Sequence, residues 1–391
     1  MAYSLSRNAK LYVSTSQTIS GMSGDNTWEV PILDGFSFSA ATATQEIELS
    51  EAGATTVARG KRVFTTAIEP VNWSISQYVR PRYTNVTPLQ VDAIERVLWA
   101  GLANSTVYPT KYTSGGSITQ GVATDATGGM IIDFSDSNAN ELITLSFVFD
   151  LGGAWYHVDG VVVDQLELDF SIDAIVTNSW SGFGTSITKI TDPVWTTPGT
   201  LDSGTTTGDY IQAPTTNLGC IRNKLSTLEL LGLETPYSGT YNIPLTGGSI
   251  TISNNITFLT PESLGVVNRP CGHFTGARSI SGNITAYLRD GANETAGLME
   301  NLLAYVDTGS ADPTQFEMKI NVGGAPPSTP FNDRALVQFE LPSAHIVIPQ
   351  INIEDVVSVD IGFSGLPTST AGVWDEAENN EVIVRYFANE A

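Results

Sequence analysis

Few residues in this chain have the types and spacing that catalysis or metal binding needs. Three histidines, His157, His273 and His345, stand far apart, with no cysteine or carboxylate at ligand spacing. Each reads as a surface or partly packed histidine. Cys220 and Cys271 form neither a metal spacing nor a disulfide framework, and read as reduced, partly buried thiols. Asp133-Phe134-Ser135-Asp136-Ser137-Asn138 suggests a calcium loop only faintly, since the Asp-x-Asp-x-Asp-Gly order and the closing glutamate are missing. A turn is expected there. No Gly-x-Ser-x-Gly elbow, P-loop or dinucleotide fingerprint occurs. Sequons at Asn72, Asn255 and Asn283 follow from the abundance of serine and threonine. The expectation is no catalytic residue, no cofactor and no metal, and hence no enzyme.

One charged pattern stands out. Leu166-Glu167-Leu168-Asp169-Phe170-Ser171-Ile172-Asp173 alternates, with Leu166, Leu168, Phe170 and Ile172 on one face and Glu167, Asp169, Ser171 and Asp173 on the other. In the second half Val357-Ser358-Val359-Asp360-Ile361-Gly362-Phe363 reads as the corresponding strand, with Asp360 in the place of Asp169. Carboxylates stacked without interleaved lysine repel one another, so solubility alone explains them poorly. A second charged feature is residues 40–63, with Glu46, Glu48 and Glu51 on one limb and Arg59, Lys61 and Arg62 on the other. It reads either as a solvated mobile hairpin or as an arm that docks on a neighbour.

These side chains need a scaffold, and the sequence describes one twice. Arg7-Asn8-Ala9-Lys10-Leu11 is echoed by Arg222-Asn223-Lys224-Leu225, and Val30-Pro31-Ile32-Leu33-Asp34-Gly35 by Ile243-Pro244-Leu245-Thr246-Gly247-Gly248. The alternating stretch Asn72 to Arg80 returns as Ser281 to Arg289, both ending Tyr-aliphatic-Arg. A helix follows each. The first opens on a capping box at Thr87-Pro88-Leu89-Gln90 and carries a stripe of Ile94, Val97, Leu98, Gly101 and Leu102. The second carries Met299, Leu302, Leu303 and Val306. Strands close each half: Glu141 to Asp150 and Val161 to Val176, then Gln315 to Val322 and Leu336 to Phe363. The fold expected is mainly β: two tandem β-sandwich domains, 1–185 and 220–391, each with one flanking α-helix. Residues 186–219, rich in Thr, Gly, Pro and Asp, read as the linker.

Composition narrows the function. A hydrophobic fraction of 41% supports real cores, so wholesale disorder is excluded. The formal charge of −23, from 41 acidic and 18 basic residues, opposes tight binding to a phosphate backbone. The first residues have no apolar core with a cleavage site, and no run of 18 apolar residues occurs, so neither a signal peptide nor a membrane span is expected.

Leu5-Ser6-Arg7-Asn8, Trp73-Ser74-Ile75-Ser76, Arg222-Asn223-Lys224-Leu225, Ile243 to Gly248, Asn254 to Pro261 and Phe274-Thr275-Gly276 together resemble the major tail tube proteins of long-tailed siphophages. The coliphage T-five type is the nearest in pattern, and the resemblance runs along nearly the whole chain. That type carries an extra immunoglobulin-like domain, expected to be missing here because the sequence stops at Ala391.

The resemblance implies tail-tube-type domains and a structural virion protein of the phage tail, assembled in the host cytoplasm. Its partners would be further copies of itself, the tape-measure and tail-end proteins, and DNA in transit without specific binding; no membrane is implied. A duplicated subunit would build a trimeric ring with pseudo-sixfold symmetry, one sheet of each domain joining a continuous inner barrel. Four strands from each of six domains, at about 4.8 Å spacing and about 40° tilt, give a diameter of roughly 48 Å. Glu167, Asp169, Asp173 and Asp360 would line the bore, acting only within a Debye length of about 8 Å. The linker 186–219 and the 40–63 arm, with Glu46, Glu48, Glu51, Arg59, Lys61 and Arg62, would serve contacts between domains and between rings. A carbohydrate-binding or adhesive β-sandwich is the alternative; it needs an exposed aromatic platform, for which Trp155-Tyr156 and Trp195 are the candidates.

Overall fold

A computed structural model of the chain describes residues 6–24, 26–48, 60–84, 90–103, 123–124, 130–134, 142–195, 198–199, 210–212, 220–232, 239–260, 267–307, 315–324, 331–332, 335–353, 356–367 and 381–389. These residues are mainly β, as the runs rich in Ser, Thr, Val and Ile predict, with two α-helices.

The first half opens on a 3-10 turn, Ser6–Asn8, leading into β1 (Lys10–Ser14). β1 pairs antiparallel with β2 (Thr27–Val30), and β3 (Ser37–Ser39) follows. β4 (Thr42–Glu48) and β5 (Lys61–Ile68) form a hairpin of their own. β6 (Val71–Tyr78) pairs with β3, and β7 (Pro81–Thr84) with β8 (Gln90–Ala93). Helix α1 (Arg96–Ala103) comes next, then the short pair β9 (Ala123–Thr124) and β10 (Met130–Asp133). β11 (Leu145–Asp150) lies between β1 and the long β12 (Trp155–Ser171). β13 (Thr177–Gly184) pairs with the last part of β12 and with β6, whereas β14 (Ser186–Ile190) pairs with the first part of β12. β15 (Pro198–Gly199) and β16 (Tyr210–Ile211) extend β2 in parallel.

The second half opens on another 3-10 turn, Asn223–Leu225, and β17 (Thr227–Gly232) pairs with β18 (Thr240–Ser253). The hairpin of β19 (Thr257–Leu259) and β20 (Gly272–Phe274) precedes β21 (Ser279–Tyr287), which pairs with β18. Helix α2 (Thr295–Asp307) leads to β22 (Gln315–Val322), which lies against β17. After β23 (Phe331–Asn332), β24 (Leu336–Ile346) pairs with β22. β25 (Gln350–Asn352) and β26 (Ser358–Gly365) are antiparallel neighbours, and β26 pairs with β21. β27 (Ile383–Asn389) runs beside β24.

The pairings recur in order. β1–β2, β1–β11, β11–β12, β12–β13, β13–β6 and β3–β6 are matched by β17–β18, β17–β22, β22–β24, β24–β26, β26–β21 and β18–β21. The single strand β18 stands for β2 and β3 together, and β25 continues β24 so that the two stand for β12. This moves one equivalence drawn from sequence. The stretch around Asp360 is β26, whose counterpart is β13 and not β12. Alternation looks the same on either strand, and only the pairings separate them.

The halves are joined in one sheet. Gln165 to Ser171 of β12 pair with Ser253 to Gly247 of β18, giving the order β3–β6–β13–β12–β18–β21–β26–β25. One face packs the core through Trp73, Ile75, Trp180, Leu168, Phe170, Ile250, Ile284 and Ile361, all buried. Gly248 sits opposite Phe170, where a Cβ would come within 2.9 Å of the ring's Cζ. A second tie links β10 to β27. There Trp99 Nε1 donates to the Tyr386 hydroxyl at 2.8 Å, which donates to Glu95 Oε1 at 3.0 Å, and all three side chains are buried. Burial first, and the Glu95 charge second, hold the Tyr386 pKa well above its usual value.

Two sequence expectations change. Gln90 begins strand β8, pairing with Thr84, and α1 starts at Arg96; Thr87 and Pro88 lie outside the described residues. Pairing with β7 overrides the local capping signal. In α2 Thr295, Gly297, Leu298 and Leu302 are buried and Leu303 is exposed, so the buried face is shifted from the stripe expected; the Val306 side chain lies outside what is described. Within the expected linker 186–219, Ser186–Ile190 form β14 against β12.

β12 has an irregularity between Val163 and Gln165, and Asp164 uses it to grip the second half. Its Oδ1 accepts the Ile256 N–H at 2.8 Å, and its carbonyl accepts the Asn254 N–H at 2.8 Å. Burial raises the Asp164 pKa, and the Ile256 hydrogen bond opposes the shift. The folded state therefore holds this proton more tightly, and stability falls as pH climbs through the raised value. Asp164→Asn keeps an acceptor without the charge. Urea unfolding should show it at least as stable as the parent at neutral pH, with a shallower pH slope. Asp164→Ala should lose about 1–3 kcal/mol by orphaning the Ile256 N–H.

Candidate functional site

The face of the eight-stranded sheet opposite the core is built from small polar side chains. Ser74 and Ser76 on β6 face Ser181 and Ser179 on β13, which face Gln165 and Glu167 on β12. Beyond the seam come Ser253, Thr251 and Ser249 on β18, then Ser279, Ser281 and Asn283 on β21. Hydroxyls bond across it, Ser37 to Ser74 at 2.9 Å and Ser76 to Ser179 at 3.0 Å. None of the eight strands contains a lysine or arginine. The charges on this face are thus of one sign.

Glu167 and Asp169 lie exposed on it, opposite Thr251 and Ser249 across the seam. Asp360 lies on the same face but is half-buried, accepting from Thr285 Oγ1 at 2.9 Å and Asn352 Nδ2 at 2.6 Å. Asp173 does not continue the row. β12 stops at Ser171, the Ile172 N–H bonds to the Thr246 carbonyl, and Asp173 sits exposed in the following turn. Ile172 is exposed as well, so the expected apolar face ends at Phe170.

The β4–β5 hairpin brings together Glu46, Glu48, Lys61 and Arg62; Glu51 and Arg59 lie outside the described residues. Lys61 Nζ stands 2.6 Å from Glu46 Oε2, an exposed pair of small energetic weight. The hairpin also exposes Ile47, Val63 and Phe64. Its base is tied to the second half, the Ile68 N–H donating to the Asn268 carbonyl at 2.8 Å. The β19–β20 hairpin occupies the equivalent place there, between β18 and β21, and exposes Leu259 and Phe274.

The remaining chemical candidates stay apart. His157 is buried and shares a hydrogen bond with Ser146 Oγ. Burial lowers its pKa, against the nearby Asp159 charge, so it packs as a neutral ring. His273 lies beside Phe258 and His345 on β24. Both cysteines are exposed, not partly buried as their type suggests. Among the described residues no group of three or more His, Cys, Asp or Glu is placed to hold a metal, and no helix is long and apolar enough to cross a membrane. Trp155 and Trp195 pack with Tyr12 over Met22 and Val148, ring centroids 4.5–6.0 Å apart, instead of forming an open platform.

A mainly β chain with one broad acid-and-hydroxyl sheet face and projecting hairpins fits a structural, self-associating class, and the chain belongs to the phage tail tube protein family, whose model matches residues 32–365. Membership makes it a structural protein of a phage tail that assembles with itself into a tube. It is similar to tail tube protein pb6 of Escherichia phage T5, at 29% identity over 369 residues, 94% of this chain and 74% of that one.

Proposed function

We propose that three copies of the chain close into a ring of six similar domains, 1–185 and 220–391 of each joined by 186–219, and that stacked rings form the tube that conducts DNA into the host cell. The observation that carries this reading is the sheet shared by the two halves. It supplies four strands from each half, and its two ends, β3 and β25, are paired on one side only among the described residues. Three such sheets joined end to end give a bore of roughly 48 Å. The acid-and-hydroxyl face lines it, with Glu167, Asp169 and Asp360 in the wall and Asp173 at a turn along its rim. Such a wall repels a phosphate backbone and offers it no cation, so DNA passes without binding. The reading is non-enzymatic, with rings stacking in the host cytoplasm on the tape-measure protein and ending against tail-end proteins. The similarity to a tail tube protein of phage T5 supports the same role.

Electron micrographs of the purified protein test it. Hollow tubes whose cross-sections hold three chains and six lobes are expected; six chains per ring, or no tubes at all, would overturn it.

The β4–β5 hairpin is the arm between rings in this reading. Deleting residues 45–60 should leave a folded subunit, because the described residues of the hairpin add no buried side chain to the core. Tubes should not form. Normal tubes from the deletion variant would reduce the arm to a surface loop.

A further inference from the structure

The seam between β12 and β18 has an unfilled counterpart elsewhere on the chain. Ser179 on β13 faces Ser76 on one side and Glu167 on the other. Its equivalent, Asp360 on β26, faces Thr285 and Gln350. Gln350 and Asn352 therefore occupy the positions of Glu167 and Asp169, and Ile351 and Ile353 those of Leu168 and Phe170. At the opposite end, Ser74 faces Ser37 as Asn283 faces Ser249. Ser37, Phe38 and Ser39 thus stand for Ser249, Ile250 and Thr251.

Burial at equivalent positions differs sharply. Leu168 and Phe170 are 0% and 1% exposed, beside β18, whereas Ile351 and Ile353 are 42% and 84% exposed. Val347 and Val356 beside them are also exposed. An apolar cluster next to a strand edge that has no partner among the described residues is a surface made to be covered. What covers it in the first half is a strand of β3 type.

Resting on the ring reading above, we propose that β25 of one copy pairs antiparallel with β3 of the next, in the register Asn352 to Ser37 and Gln350 to Ser39. Ile351 then lies beside the neighbouring copy's Phe38, and Ile353 beside its Phe36. Both phenylalanines already pack on Phe149, with centroids 4.3 and 5.9 Å away, which presents a fixed apolar ledge. The contact is head-to-tail and repeats until the ring closes. Each edge strand is only three residues long, so strand pairing alone is a weak template and the isoleucines must supply the rest.

Cysteine cross-linking tests the register. In a background carrying Cys220→Ser and Cys271→Ser, Asn352→Cys is combined with Ser37→Cys and tubes are oxidised. A covalent ladder ending at three chains is expected. Asn352→Cys with Ser74→Cys, one strand further away at about 9–10 Å, should not link. Hollow tubes without the first cross-link overturn the seam and leave the ring reading standing. A ladder ending at six chains keeps the seam and overturns the trimer. If the cysteine variants fail to assemble, amide exchange of the parental protein decides. Residues 37–39 and 350–353 should exchange at least about tenfold more slowly in tubes than in free subunits, and unchanged exchange overturns the proposal.

Discussion

Ile353→Asp should abolish tube formation while leaving the subunit folded. At 84% exposure the side chain contributes little to the fold of the single chain, so its stability should change by no more than about 0.5 kcal/mol. In the proposed seam the same atom positions are covered by the neighbouring copy, and an aspartate there would be a desolvated, unpaired charge. Self-association should weaken by at least about 100-fold, equivalent to about 2.8 kcal/mol. Sedimentation velocity and electron microscopy would show folded, unassembled chains. Phe170→Asp is the informative contrast, because it places the charge at the equivalent position of the internal seam. Phe170 is fully buried, so this variant should fail to fold. Tubes of normal yield from Ile353→Asp would remove the apolar part of the seam.

If the sheet face lines the tube as proposed, reversing its charge should convert a passive bore into one that retains DNA. Glu167→Lys with Asp169→Lys alters two exposed positions and no core contact, so subunits should fold and assemble. Asp360 is best left alone, since it bonds Thr285 and Asn352. With every ring contributing cations, DNA in transit would contact many rings at once and displace counterions from each. Affinity arising this way falls by about 10³–10⁵ between 50 and 200 mM salt for 6–10 contacts. The expected result is virions with normal tubes that eject DNA incompletely at low ionic strength and recover at high salt. Ejection that matches the parent at every salt concentration would place these carboxylates outside the bore.

Much of this was legible from residue order. The period-two stretches around Trp73 and Ile284 are strands β6 and β21, and the repeated Arg-Asn turns open both halves, because local alternation and turn chemistry survive in the fold. The carboxylates Glu167 and Asp169 fall on the face that alternation gives them. Other features depend on partners distant in sequence. Gln90 became a strand residue because β7 lies beside it, and the β12–β18 seam gives no local signal at all. The edge isoleucines were hidden for a related reason. Val347 to Ile353 reads as an ordinary strand, and only comparison with buried Leu168 and Phe170 sets its isoleucines apart, since among the described residues they stay exposed.

The pairing of β10 with β27 sets a timetable for synthesis. Met130 faces Tyr386 and Ile132 faces Val384, partners separated by roughly 250 residues of translation. At about 5–20 residues per second, the ribosome needs about 12–50 s to deliver the second strand after the first. During that interval β10 lacks its long neighbour, and Trp99 lacks the hydroxyl that receives its indole N–H. The core of the first half is completed only by the strand near residue 385. A partly translated chain therefore has no finished core to offer a growing tube, and each subunit becomes competent for assembly only once the strand near residue 385 has been read.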